Sequence, residues 1–261
     1  MRNEMSEPII RIQGLTDVGK KRDHNEDRFY VSEIHNYAVL ADGMGGRHFG
    51  EVAAQMSVDS IRDRFESYFP ESISSLRTAD QAHCSDMVTC LLDDWIRDAN
   101  FEVWNRGQKE EKYREMGTTL VMVYTLPSMA IVAHIGDSRG YHIDADGKMK
   151  LVTNDHSFVN SQVATGAMTI EEAEASNQKN IITRAIGTHR QVKPEFKAIR
   201  MHAGERLLLC SDGLSDMVGA EAIGEIAARS EKGKHILEAL VEEANHNGGR
   251  DNITVVLVEY L

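Results

Sequence analysis

Several short runs in this chain are apolar at every position instead of at every second one. Leu207-Leu208-Leu209 and Val255-Val256-Leu257 are the clearest. A strand of that kind has both faces covered, so it must sit inside a layered structure. The strand-like runs come in groups. Ile9 to Leu15 reads as a first strand, and Phe29 to Ser32 with Tyr37 to Ala41 as a hairpin turning at His35-Asn36. Thr118 to Thr125, Ala130 to Ile135, Arg139 to Ile143 and Lys148 to Val152 follow one another through short turns. Phe196 to Ile199, Arg206 to Cys210 and Ile253 to Glu259 complete the set. Helical patterns fall in pairs between these groups. From about Phe49 to Phe69, the residues Val52, Met56, Ile61, Phe65 and Phe69 recur at helical spacing. Val88, Leu91, Leu92, Trp95, Ile96, Ala99 and Val103 form a second continuous apolar face, with the Met and Trp residues read as core. Two further helices are expected near Ala220 to Ala228 and Ile236 to Ala244. This grouping predicts an α+β fold in which two packed sheets are covered by helices.

The 261 residues contain no Ser/Gly or charge-block linker and only four scattered prolines, so a single domain over residues 1–261 is expected. Ser157 to Gly187 is helical and polar, with Glu171, Glu172 and Glu174 on its surface, and reads as an inserted flap at about 157–187. Asp146-Gly147 is a hairpin turn signal, and Asp144-Ala145-Asp146-Gly147 lacks the remaining ligands of an EF-hand loop. A net charge of −12 argues against non-specific nucleic-acid binding, which depends on Lys and Arg neutralising phosphates. Cys84, Cys90 and Cys210 are odd in number and match no metal-ligand spacing, which predicts reduced thiols and a cytoplasmic location. The longest apolar runs are too short to cross a bilayer, and the first residues, with Glu4 and Glu7, lack a secretory h-region. No membrane partner is expected.

Against this background, five acidic residues stand out in four separated segments, each at the edge of a strand-like run and beside a turn former. They are Glu26 and Asp27 in Arg22-Asp23-His24-Asn25-Glu26-Asp27, Asp42 in Asp42-Gly43-Met44-Gly45-Gly46, Asp212 in Ser211-Asp212-Gly213, and Asp251 in Gly249-Arg250-Asp251-Asn252. Asp137, in Gly136-Asp137-Ser138-Arg139, has the same setting. Carboxylates at the mouths of buried strands, with little sulfur or imidazole nearby, suit hard divalent cations such as Mg²⁺ or Mn²⁺. A binuclear site needs one carboxylate bridging ions about 3.5–4 Å apart. Asp42 is the best bridging candidate, because Gly43 lets the backbone approach and offers its carbonyl as a further oxygen. Asp212 has the same Asp-Gly arrangement, Asp251 could complete the first ion's shell, and Glu26 and Asp27 would hold the second ion. Arg22, four residues before Glu26, would supply a two-pronged clamp for a phosphoryl group. On local sequence alone it reads equally as a surface member of Lys20-Lys21-Arg22.

Thr16-Asp17-Val18-Gly19 followed by Arg22 and Asn25-Glu26-Asp27 resembles the opening motif of the protein phosphatase 2C family of metal-dependent Ser/Thr phosphatases. Asp42-Gly43-Met44-Gly45-Gly46, Gly117-Thr118-Thr119, Gly136-Asp137-Ser138-Arg139, Asp155-His156-Ser157, Ile182-Thr183-Arg184-Ala185-Ile186-Gly187, Ser211-Asp212-Gly213-Leu214 and Arg250-Asp251-Asn252 are similar to its later motifs, in order. Each piece is weak and the ordered set is specific; it covers about Ile9 to Glu259. Met44 and the compact length resemble the bacterial branch.

The resemblance implies a four-layer α-β-β-α sandwich, two central antiparallel sheets flanked by helices, with the metals at one end. It implies a hydrolase releasing phosphate from phosphoserine and phosphothreonine in proteins, with two Mn²⁺ or Mg²⁺ ions and a third, weaker one. By resemblance Asp42, Asp212 and Asp251 match first-ion ligands, and Glu26, Asp42 and the Gly43 carbonyl match the second-ion set. Asp137 with Asp212 matches the third-ion site. Asp27 matches a carboxylate orienting the attacking water, Arg22 the phosphate-binding arginine, and Ser157–Gly187 the mobile flap. The implied partners are phosphoproteins made by a Ser/Thr kinase, and the implied unit is a monomer. Bacterial relatives commonly place His directly after Asp-Gly-Met-Gly-Gly; here that residue is Arg47, and His48 follows. Eukaryotic relatives place a general-acid His where this chain has Met44. A metal-bound water is therefore favoured over His48 for protonating the leaving group, and Arg47 is an alternative phosphate contact. Asp155-His156-Ser157 is read as structural and not as a triad, whose members come from separate supports; absence of His-Glu-x-x-His disfavours zinc. Two other functions fit less well: a silent phosphoprotein-binding module, against which the full carboxylate set argues, and a nuclease or phosphodiesterase, against which the charge argues.

Overall fold

The computed structural model describes residues 9–44, 49–72, 81–174, 176–178, 181–229 and 232–261. Arg47 and His48, and the side chains of Phe69 and Glu174, lie outside what is described. The chain opens with strand β1 (Ile10–Asp17), then β2 (Arg28–Ser32), β3 (Tyr37–Ala41) and the two-residue β4 (Gly43–Met44). Helices α1 (Gly50–Ser72) and α2 (Gln81–Lys109) follow. The middle holds β5 (Gly117–Thr118), β6 (Leu120–Leu126), β7 (Met129–Ile135), β8 (Arg139–Ile143) and β9 (Met149–Leu151). After α3 (Phe158–Ala164) and α4 (Ile170–Glu174) come β10 (Glu195–Arg200) and β11 (Arg206–Cys210). The last elements are α5 (Asp212–Ser215), α6 (Ala220–Ala227), α7 (Gly233–His246) and β12 (Ile253–Tyr260).

Two five-stranded sheets form, in the orders β1-β12-β11-β8-β9 and β10-β7-β6-β3-β2. Every pairing within them is antiparallel. The continuous apolar runs now have a reason. Leu207, Leu209, Val256 and Val258 point inward and meet Leu40, Val121, Val123 and Val132 of the other sheet. Leu208, Val255 and Leu257 point outward and pack under Ile236, Leu240 and Ala244 of α7. On the opposite outer face, Tyr37, Val39 and Met122 lie beneath α1 and α2. Phe65 of α1 stacks on Tyr37 at 3.7 Å between ring centroids and meets the Trp95 edge at 4.9 Å. The result is helix on sheet on sheet on helix, as the resemblance implies.

Some boundaries differ from the sequence reading. The strand expected from Thr118 to Thr125 is broken at Thr119: β5 leaves the sheet to pair with β4, and β6 begins at Leu120. The first strand runs on to Asp17 because its whole length pairs with β12. Within 157–187 the described helices are the short α3 and α4. The neck is fastened by a bridge between Ser157 and Ile182 and another between Thr118 and Ile186.

Candidate active site

The strand registers decide where the acidic residues go. Asp17 faces Ile253, Cys210 faces both Val255 and Arg139, Leu40 faces Val121, and Leu120 faces Ile135. The loops carrying Glu26-Asp27, Asp42, Asp137, Asp212 and Asp251 therefore all emerge at the same end of the sandwich. Their charges act on one another: Asp42 senses Asp27, Asp212, Asp137 and Asp251, and Arg22 senses Asp251, Glu26 and Asp212. The structure brings all six predicted carboxylates together. Arg22 joins them, donating from Nη2 to Asp251 Oδ2 at 2.6 Å.

Side chains without charge hold this cluster in place. Thr119 Oγ1 accepts from the Asp42 N–H at 3.0 Å and lies 2.7 Å from Ser138 Oγ, tying the Asp42 loop to the residue after Asp137. Asn252 clamps the segment around Glu26: its Oδ1 accepts from the Glu26 N–H at 2.8 Å, and its Nδ2 donates to the carbonyls of Val18 and His24 at 3.0 Å. The Thr254 hydroxyl donates to Asp27 Oδ2 at 2.6 Å. Asn252 and Thr119 entered the sequence reading only as letters of motifs; their contiguity with Asp251 and Thr118 was the one available signal. Gly50 carried none. A Cβ there would stand 2.6 Å from Glu26 Oε2 and 2.8 Å from the Gly43 carbonyl oxygen, so those two oxygens share a niche that only glycine leaves open.

The carboxylates crowd one another. Burial, and after it Asp27, Asp212, Asp137 and Asp251, lift the Asp42 carboxyl well above the usual range. Asp212 is pushed up to about 8 by burial and then by Asp137 and Asp251. Burial raises Asp27 to about 6 despite the Thr254 hydroxyl bond. Asp137 is also raised to about 6, by burial and by Asp155. Asp27 Oδ1 and Asp137 Oδ1 are buried and accept no hydrogen bond. Buried acceptors of that kind need a partner, and crowded carboxylates need positive charge. An all-oxygen donor set with orphaned carboxylate oxygens fits hard divalent cations. Glu26, Asp42, the Gly43 carbonyl, Asp137, Asp212 and Asp251 offer the oxygens that could hold them.

Beside the cluster a cleft of about 450 Å³ opens between Asp137, Asp212 and Asp216 on one side and Val159, Val163 and Ile170 of the 157–187 segment on the other. Its floor includes Arg139, which binds Asp155 through Nε and Nη2 at 2.7 to 3.2 Å. Among the described residues, Asp155, His156 and Ser157 form no Ser-His-Asp relay. Ser157 caps α3 by accepting from the Asn160 N–H at 3.3 Å. The buried His156 accepts from the Gly136 N–H at Nδ1, 3.1 Å, and its Nε2 lies 3.1 Å from Glu195. Gly136 itself sits at φ +102°, which aims the loop toward Asp137.

The sequence profile of Protein phosphatase 2C matches residues 19–254. The chain belongs to that family. The phosphatase PhpP of Streptococcus pneumoniae is 39% identical over 254 residues, covering 95% of this chain and 97% of PhpP. The crystal structure of the serine/threonine phosphatase Stp1 from Staphylococcus aureus superposes with a TM-score of 0.85 at 33% identity, covering 99% of both chains. The catalytic domain of the phosphatase PstP, crystallised with 2 manganese ions, gives a TM-score of 0.79 at 34% identity over 96% of this chain and 97% of its own. Family membership makes this chain a phosphoprotein phosphatase and carries the fold expectation with it. Among the described residues, no helix is long and apolar enough to cross a membrane.

Proposed function

We propose that the protein removes phosphate from phosphoserine and phosphothreonine of proteins, using two Mn²⁺ or Mg²⁺ ions held by Asp42, Asp212 and Asp251 on one side and Glu26, Asp42 and the Gly43 carbonyl on the other. The observation that carries this reading is the meeting of six carboxylates at one sheet end, with buried oxygens lacking any hydrogen-bond partner. When bound, the ions lower the pKa of a water for in-line attack and screen the phosphate charge. The protein's own groups do the rest. Arg22, steered by Asp251 and half exposed at the mouth, offers its guanidinium to two phosphate oxygens. Asp27, fixed by Thr254, keeps a free oxygen to orient the attacking water. Asp137 and Asp212 serve a third, weaker ion beside the cleft. The free thiols of Cys84, Cys90 and Cys210 fit a reducing cytoplasm, where a Ser/Thr kinase would supply the substrates.

Hydrolysis of p-nitrophenyl phosphate with Mn²⁺ and with EDTA tests the reading. Turnover that needs Mn²⁺ supports it, and a wild-type chain that binds Mn²⁺ without turnover would make it a silent binding module. Faster cleavage of bis-p-nitrophenyl phosphate than of the monoester would make it a phosphodiesterase.

A further inference from the structure

At the outer edge of the second-ion niche, one ligand atom each from His24, Glu26 and Glu51 lie within 4.8 Å of one another. His24 Nε2 is 2.8 Å from Glu26 Oε1. The three donors come from different supports. Glu51 occupies the first turn of α1, and His24 and Glu26 flank Asn25 in the loop before β2. That loop is pinned, because Asn252 holds the His24 carbonyl and the Glu26 N–H, and Asn25 Nδ2 donates to Thr16 Oγ1 at 2.8 Å. The His24 imidazole, 44% exposed, is held beside Glu26 by its contact with Oε1. Glu51 Oε2 is buried and has no hydrogen-bond partner. The N-terminus of α1 favours negative charge there, but it leaves that oxygen unpaired, and two carboxylates this close repel.

We infer that His24, Glu26 and Glu51 form a nitrogen-containing cation site contiguous with the second-ion niche, selective for Mn²⁺ and other transition ions over Mg²⁺. This rests on the proposed role of Glu26 as a cation ligand. The chemistry is that of the donor set: carboxylates alone accept Mg²⁺ readily, whereas an imidazole nitrogen favours first-row transition ions. The carboxylate niche needs only a hard cation, and the neighbouring histidine tells one such cation from another.

The test uses the whole chain saturated with Mg²⁺ and then given substoichiometric Mn²⁺, so that Mn²⁺ collects where discrimination is greatest. Pulsed electron paramagnetic resonance should show ¹⁴N coupling to Mn²⁺ in the wild type and none in His24→Ala. Calorimetry should show one Mn²⁺ site weakened about tenfold or more in both His24→Ala and Glu51→Gln. Mg²⁺ affinity should change by less than about twofold in His24→Ala. Thermal unfolding in EDTA checks that both variants fold, and Glu51→Gln keeps its helix position. A wild type without nitrogen coupling, a His24→Ala protein that retains it, or equal losses for Mn²⁺ and Mg²⁺ would each overturn the inference. The companion variant Asp42→Asn separates this from the broader reading. If Asp42→Asn leaves all Mn²⁺ binding intact, the carboxylate site itself is wrong; if it abolishes binding while His24→Ala changes nothing, only the histidine's role fails.

Discussion

The carboxylate end and the 157–187 segment touch across one cleft but are built on opposite terms. At the carboxylate end, hydrogen bonds join residues more than two hundred positions apart, such as Glu26 with Asn252 and Asp27 with Thr254. Asp42, Asp137, Asp212 and Asp251 lie at the ends of strands whose faces are both buried. In the 157–187 segment the described helices are the short α3 and α4, and Ile170 and Ile181 are 63% and 48% exposed. The neck, around His156, is tied to the sheets. The proposed chemistry is rooted where the fold is most constrained, and the segment proposed to meet a phosphoprotein beyond its phosphate lies where change costs little stability.

The sharpest break would come from the carboxylates. Asp42→Asn or Asp251→Asn should cut Mn²⁺-dependent hydrolysis of p-nitrophenyl phosphate by about a thousandfold or more while circular dichroism stays unchanged. Retained turnover would move the active site elsewhere. The pH dependence of stability is the next largest effect. Asp27, Asp137 and Asp212 hold protons in the metal-free fold at pH values where the unfolded chain has released them. Stability in EDTA should therefore fall as pH rises from about 4, the ordinary aspartate range, toward about 8, where Asp212 ionises. The loss should reach a few kcal/mol. Saturating Mn²⁺ should reverse the slope, because ion binding then competes with protons; a flat melting profile in EDTA would contradict the crowding of charge.

Smaller effects refine the contrast. Arg22→Ala should raise KM for phosphate substrates by about tenfold and lower kcat less, as expected for a lost ground-state contact. An equal fall in kcat would move Arg22 into the rate-limiting step. Thr119→Val, removing the hydroxyl between Asp42 and Ser138, should cost about 1–2 kcal/mol in denaturant unfolding. Ile170→Ser should change stability by less than about 0.5 kcal/mol and leave p-nitrophenyl phosphate turnover near wild type, while shifting kcat/KM among phosphopeptides. If it impaired the small substrate as much as the peptides, the division between the two regions would fail.

The layered fold was legible because its strands are apolar on both faces: Leu208 and Leu207 announce two different cores. The carboxylates were legible because each sits beside a turn former at a strand end. What escaped the sequence is what depends on register or on a missing atom. Thr119, Asn252 and Thr254 matter through hydrogen bonds to residues far along the chain, which no local pattern encodes. Gly50 matters through the Cβ it lacks. The β4–β5 pair is two residues long on each side, too short for any periodicity to show. The ion pair of Arg22 could not be read from Lys20-Lys21-Arg22, because its partner, Asp251, lies at the far end of the sequence.

Strand β12 fills the slot between β1 and β11; its leading loop brings Asp251 and Asn252, and the strand itself brings Thr254. The carboxylate cluster and the sheet thus share one closing strand, so a change that loosened β12 would disperse Asp251 and Asn252 along with the pairing to β1 and β11.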